Sequence, residues 1–401
     1  MKIGILREYK EPEDIRVALT PSQCKQLMEN LSNLEIVVEP YAKRCFSDSE
    51  YQKAGVALQN DLRDCDVLIG VKEVPKDKLI PNKTYFFFSH TIKEQDYNLE
   101  LMRTLLNRNI TMIDHETLVE ENGARIIGFG RWAGIVGAHY ALLMMGKKSG
   151  DFSLKPANEC ADMKEMLSQY EAINWPKQKI VLTGDGRVGK GALEVLKHAG
   201  IRQVSPDEII NQYFDECVFA VLGVNELYKN EDGSNIDLSS FYKDPTNSVN
   251  AFMPYTRVAD VLIHGIYWDY RAPALFSKQD IKSERFKTHL ISDITCDVEG
   301  SIPITLRQTP IADPYIGIDK HTTNEVDAFG DNTIDVMAVG NLPNELPRDA
   351  STDFGNTLMN KVVYELFDYD NSTLLKSASI CHNGKLTDKY SYLQKWVDQS
   401  T

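Results

Sequence analysis

Lys72, His90 and Glu116 each stand just beyond a short apolar run: Lys72 after VLIGV, His90 after TYFFFS and Glu116 after ITMIDH. Such runs read as strands, and in an open α/β sheet ligands collect outside the carboxyl ends of the strands. Successive strands would bring the three side chains to one sheet edge. Arg16, after the strand KIGIL and a loop, would join them. A lysine near a histidine suits proton transfer at a carbon–nitrogen bond. Joining a ketone to an amine moves protons at several stages, and histidine titrates near neutrality. Burial or a neighbouring cation lowers a lysine toward the same range. An arginine suits a bidentate grip on a carboxylate. Taken singly, a lysine after a strand is more often a solvated loop residue, and a histidine there is as often a hydrogen-bonded core residue. His115, His139, His198, His264, His289, His321 and His382 read as structural.

A second constellation is the run Ile180–Thr183 followed by Gly184-Asp-Gly-Arg-Val-Gly189 and then GKGALEVLKHAG. This is strand, G-x-G-x-x-G turn and helix. Gly184 permits the tight turn, Gly186 lets a pyrophosphate approach the backbone, and Gly189 lets helix and strand pack closely. The helix start offers unpaired N–H groups to phosphates. Arg187 and Val188 complete the candidate cofactor turn. An NAD-type site also has an acid at the end of the next strand, about 20 residues on. That region, IRQVSPDE, has no acid clearly ending a strand. Asp207 on an irregular backbone, or Arg202 or Ser205 facing a 2′-phosphate, leave NAD and NADP both open, with the balance toward NADP. Asp297 closes the run ISDITCD, where a nicotinamide should lie; a turn cap is the equal alternative. The prolines of the NLPNELP loop, 341–347, would stiffen a segment facing the same crevice.

The elements needed to hold these groups are legible. KIGIL, LEIVVEP, DVLIGVKE, TYFFFSH and ITMIDHE alternate with helix-compatible stretches such as 22–29 and 95–107. A second series, KIVLTGDG, CVFAVLG, VADVLIHG, HLISDIT and IDVMAVGN, starts near Lys179. The alternation predicts βαβ units and mostly parallel sheets. The apolar stretch 133–145 reads as a buried core helix. DFGNTLMNKVVYELF reads as a helix returning the chain to the first domain. The expected division is 1–131 as the first segment of a substrate domain, 132–348 as a dinucleotide-binding domain, and 349–401 as the return.

With 401 residues, 42% apolar and 25% charged, two packed domains are expected. A net charge of −14 argues against nucleic acid or an anionic membrane as main partner. The charges of MKIGILREYKEPED come too early for a signal peptide, and no stretch approaches the ~18 apolar residues of a membrane span. The seven cysteines include no CxxC pair, so reduced thiols in a cytoplasmic protein without a metal centre are expected.

IRVALTP, VKEVP, FFFSHTIKEQ, ENGARIIGFGRWAG, ISDITCDVEGSIP and NLPNELPRDAS resemble the alanine dehydrogenase / saccharopine dehydrogenase superfamily. KTYFFFSHTIKEQ, PYTRVADVLIHGIYWDYRAP and NGKLTDKYSYLQ are similar to its lysine:2-oxoglutarate reductase branch in particular. The resemblance runs over nearly the whole chain. It implies an α/β fold of two Rossmann-like doubly wound parallel-sheet domains, the first discontinuous, with the active site in an interdomain cleft. It implies Lys72 and His90 as the acid–base pair and Arg16 as the substrate-carboxylate arginine. Lys93, Gln95, Glu116 and Arg125 would line the substrate pocket. Asp297 would lie beside the nicotinamide, and Leu342 and Pro343 would touch the cofactor.

Val188 stands where fungal saccharopine dehydrogenases carry a cysteine, and Glu11, beside Lys10, stands where they carry a lysine. The implied reaction is NAD(P)H-dependent condensation of L-lysine with 2-oxoglutarate to saccharopine. The small-molecule amino acid and oxo acid are then the partners, and a homo-oligomer is compatible with this. The rivals are alanine-dehydrogenase-like amination of a small 2-oxo acid, and a catalytically silent nucleotide-binding protein.

Overall fold

The computed structural model describes residues 1–399. The chain divides into two compact units, 1–129 with the residues from 347 onward, and 130–346.

In the first unit, β1 (Lys2–Ile5), β2 (Glu35–Val38), β3 (Ala57–Leu58), β4 (Val67–Ile69), β5 (Thr84–Phe87) and β6 (Thr111–Asp114) form a parallel sheet. Their order is β6-β5-β4-β1-β2-β3. Beyond β6 the sheet continues with Ser379–His382 and Lys385–Leu386, both antiparallel. Separate apolar clusters, one around Ile3, Ile5 and Phe86 and one around Leu68, Tyr85 and Phe87, cover the two faces. Burial on both faces is why these strands are continuous apolar runs with no polar alternation. Helix α1 (Pro21–Asn30) starts where Thr20 and Gln23 cap each other reciprocally and Pro21 supplies a pre-set first residue. Helix α2 (Asp96–Asn107) buries Leu99, Met102 and Leu105 on one stripe. The return segment is a helix over Pro347–Leu358 that continues through a π turn (Met359–Val363) and a 3-10 turn (Tyr364–Asp368). It joins the core through Phe354 and Leu358, and Gln23 Nε2 of α1 donates to Thr352 O at 2.9 Å. The strand order turns back between β1 and β4, and such a reversal opens a crevice at the carboxyl edge.

The second unit starts with α3 (Gly130–Ser149), buried along most of its length. Its sheet contains β7 (Lys179–Thr183), β8 (Arg202–Gln203) and β9 (Val218–Leu222). After a separate hairpin, β10 (Tyr228–Asn230) with β11 (Ser248–Asn250), it adds β12 (Val261–His264), β13 (Leu290–Asp293), β14 (Tyr315–Asp319), β15 (Glu325–Val326) and β16 (Thr333–Met337). The order is β15-β14-β16-β13-β12-β7-β9-β8, parallel except at β14 and β15. Helix α4 (Arg187–His198) follows the glycine turn. A Cβ on Gly134 would fall 1.9 Å from Val188 O, and one on Gly191 2.0 Å from Arg131 O, so α3 and α4 touch backbone to backbone. His139 and His264 are buried with both ring nitrogens engaged, His139 by Tyr170 and Lys155 O, His264 by Thr183 and Ser301. Among the described residues no helix is long and apolar enough to cross a membrane.

Candidate active site

In the first unit the carboxyl ends of β4, β5 and β6 carry Lys72, His90 and Glu116. The ladder runs past the strands, with Gly70 N donating to Phe86 O at 2.9 Å and Phe88 N to Val71 O at 3.0 Å. Lys72 and His90 therefore emerge from adjoining chain segments. Glu8, buried in the loop after β1, accepts the N–H groups of Val71 and Lys72 at 2.7 Å each and fixes the Lys72 backbone. Burial, with the Asp14 charge beside it, pushes the Glu8 carboxyl up. Burial and then the Arg16 charge push the Lys72 ammonium below the ordinary lysine range, against the pull of Asp14. Arg16 is 2% exposed. Its Nε meets Asp14 Oδ1 at 2.9 Å and its Nη2 meets Oδ2 at 2.5 Å, and its guanidinium lies 4.0 Å from the Phe129 ring centre. The structure thus sets Arg16 in a buried ion pair with Asp14 whose charges reach Lys72.

His90 has a left-handed backbone, φ 56°. A non-glycine residue held there needs fixed partners, and Asp114 supplies them. The fully buried Asp114 accepts from Ser89 N (2.8 Å), Ser89 Oγ (2.5 Å) and His90 N (3.2 Å) on one oxygen, and from Glu116 N (2.7 Å) on the other. His90 Nδ1 lies 3.1 Å from Glu116 Oε2. Glu116 Oε1 meets Lys93 Nζ at 3.4 Å and the Arg125 guanidinium. Burial pushes the Glu116 carboxyl up, but the His90 hydrogen bond and the Arg125 and Lys93 charges outweigh it and hold it at about 2. Gln95 is exposed and accepts from the Tyr97 hydroxyl at 2.8 Å, outside this cluster. Glu8, Asp14 and Asp114 are the members that motif reading passed over. Their signal was an acid at a strand end or in the following turn, where it holds backbone N–H groups.

In the second unit Gly184 has φ +95° and donates to Leu222 O at 2.8 Å. No atom crowds a Cβ on Gly186, whereas one on Gly189 would lie 1.9 Å from Gly184 O. The turn is thus open where a pyrophosphate would approach and closed where helix meets strand, which fits a dinucleotide. One recess is lined by Gly184, Gly186, Arg187 and Val188 with Val224, Tyr242 and Trp268. A second, sharing Val188 and residues 265–268, extends to Ile294, Thr295 and Asp297. Together they follow the carboxyl edge from β9 past β7 and β12 to β13. Burial raises the Asp297 carboxyl. The fully buried Asp293, pushed up to about 6 by burial, accepts from the Thr295 and Thr305 hydroxyls at 2.6 Å each and shapes the loop that carries Asp297. Leu342 and Pro343 are buried in a 3-10 turn and are not among the residues lining either recess.

Residues 4–136 match the family model for the alanine dehydrogenase/PNT N-terminal domain. The superfamily resemblance read from the sequence therefore holds. The chain is 29% identical to alpha-aminoadipic semialdehyde synthase of Rattus norvegicus over 98% of its own length and 47% of that protein, and 29% identical to the Arabidopsis thaliana counterpart over 98% and 41%. It thus spans about half the length of these curated relatives or less. It is 24% identical to saccharopine dehydrogenase [NAD(+), L-lysine-forming] of Emericella nidulans over 95% of this chain and 96% of that one. Among solved structures, an L-alanine dehydrogenase superposes with a TM-score of 0.66 at 18% identity, covering 99% of both chains. The transhydrogenase of Sinorhizobium meliloti gives 0.60 at 14%, covering 96% of this chain and 99% of that one. The doubly wound α/β fold is that of alanine dehydrogenase.

Proposed function

We propose that this chain is a nicotinamide-dependent oxidoreductase that condenses L-lysine with 2-oxoglutarate to form saccharopine. The observation that carries the reading is the placement, on adjoining chain segments at the carboxyl edge of one sheet, of a half-buried lysine whose ammonium is pushed down and an imidazole seated on a buried carboxylate. The likeness to relatives named for saccharopine supports the choice of substrates.

The lysine ε-amine attacks the 2-oxoglutarate ketone carbon, and the carbinolamine then loses water to give a protonated imine. Lys72, whose pushed-down ammonium favours the neutral amine, takes the proton released by the attacking amine and passes it to the alkoxide oxygen formed from the ketone. With Nδ1 donating to Glu116, His90 has Nε2 available to protonate the departing hydroxyl. A bound nicotinamide would supply the hydride that reduces the imine carbon and leave as its oxidised form. Gly184 and Gly186 would seat its pyrophosphate, Gly189 would let the helix pack close enough to present its N-terminus, and Asp297 would lie toward the nicotinamide end. Lys93 and Arg125, half exposed at the cluster's rim, would meet substrate carboxylates. Glu116 and Asp114 act through His90 as positioning residues.

The fold shared with L-alanine dehydrogenase favours one alternative, amination of a small 2-oxo acid by ammonia. Oxidation of NADH or NADPH with lysine plus 2-oxoglutarate, set against ammonia plus pyruvate, separates the two. The first pair is expected to be consumed; turnover of the second pair alone would reverse the assignment.

A further inference from the structure

The strand that follows α4 in sequence is not the strand beside β7. β8 is two residues long and sits at the sheet edge, while β9 pairs with β7 along its whole length. The carboxyl end of the strand neighbouring the glycine turn is where a dinucleotide fold reads the adenosine ribose. In this chain that place is Leu222–Glu226, and the region 201–208 is displaced from it. Arg202 pairs in register with Val218, the first residue of β9, and bridges to Glu216 at 2.8 Å. It therefore lies at the amino end of the sheet. Ser205 is occupied as a helix cap, accepting from Glu208 N. Neither is placed to meet a 2′-phosphate.

At the carboxyl end of β9, Leu222 O accepts from Gly184 N of the turn at 2.8 Å. The next residue, Gly223, donates its N–H to Glu226 Oε2 at 2.9 Å. The Glu226 carboxylate is thereby held on the N–H of the residue that follows Leu222, and in sequence Glu226 stands between Val224 and Leu227, which line the recess together with Gly184. Arg187, the cation of that recess, stands in the turn itself, where pyrophosphate is expected.

We infer that Glu226 selects the cofactor: its carboxylate accepts from the adenosine ribose hydroxyls of NAD(H) and repels the 2′-phosphate of NADP(H). This rests on the dinucleotide reading of the glycine turn. It replaces the balance toward NADP drawn from residues 201–208 alone.

Titration calorimetry of the full chain with NADH and with NADPH tests the assignment. The wild-type protein is expected to bind NADH at least about tenfold more tightly, the scale of repulsion between a carboxylate and a phosphate a few ångströms apart near a protein surface. Glu226→Gln keeps the Gly223 cap and removes the charge. It is expected to bring the two affinities within about threefold of each other, by the same Coulomb argument, with an unchanged circular dichroism spectrum. Equal or tighter NADPH binding by the wild type overturns the assignment, as does an unchanged ratio in the variant. Binding of neither cofactor overturns the dinucleotide reading with it. A tight NADH complex that fails to turn over lysine and 2-oxoglutarate refutes only the proposed reaction.

Discussion

Asp114→Asn probes how the imidazole is held. The carboxylate takes three donors on one oxygen and the Glu116 N–H on the other, with no exposure to solvent. An amide has one oxygen. If that oxygen keeps Ser89 and His90, the new NH2 faces the Glu116 N–H, and one buried donor loses its acceptor. Such a loss costs about 1–3 kcal/mol. Burial of the Asp114 charge already raises its carboxyl, and the amide relieves that cost, so the lower half of the range is expected. At about 2–4 °C per kcal/mol for a unit of this size, the melting temperature should fall by about 2–8 °C. The catalytic effect should be larger. His90 keeps its left-handed backbone partly through the Asp114 contact, and a displacement of about 1 Å costs on the order of 100-fold in rate. Differential scanning fluorimetry and steady-state NAD(P)H oxidation read both effects on one preparation. A variant that melts within a degree of wild type and keeps its kcat would refute the view that Asp114 positions His90.

Three further outcomes follow from the same geometry. Lys72→Met should lower kcat by about 10²–10⁴-fold, the usual worth of an acid–base group, with cofactor affinity nearly unchanged; wild-type turnover would remove Lys72 from the chemistry. Glu116 is held at about 2 against an ordinary 4.5, so its contribution is present above 4.5 and lost as pH falls toward 2. After discounting the half-exposed Lys93 and Arg125, it is about 2 kcal/mol. The gap in urea stability between wild type and Glu116→Gln should therefore shrink by more than half from pH 7 to pH 3, and a constant gap would contradict the ion cluster. Gly189→Ala forces a Cβ against Gly184 O. It should cost about 1–3 kcal/mol of stability and open the turn enough to abolish cofactor binding; retained affinity would show that the turn does not seat the dinucleotide.

The apolar runs were legible because strands buried on both faces leave no choice of residue type. All ten runs picked from the sequence fall on strands, and the stretch DFGNTLMNKVVYELF, read as a returning helix, is helical. The short strands β3, β8 and β15 were not legible, since two residues carry no periodicity. The change of pitch after Leu358 left no mark in the pattern either. The placement of Lys72, His90 and Glu116 at one edge followed from strand order alone. The buried carboxylates beneath them were hidden, because an aspartate that holds backbone N–H groups looks in sequence like any turn residue. The swap of β8 and β9 was hidden for another reason: chain order says which strand comes next, not which one pairs.

The central claim is that one carbon–nitrogen bond is made between an intact amino acid and an oxo acid. It is tested most directly by supplying [ε-15N]lysine, 2-oxoglutarate and NADH or NADPH to the full chain and analysing the products by mass spectrometry. The account requires a secondary amine that contains both carbon skeletons and retains the 15N label. Absence of that product, with [15N]ammonium and pyruvate giving labelled alanine in its place, would contradict it.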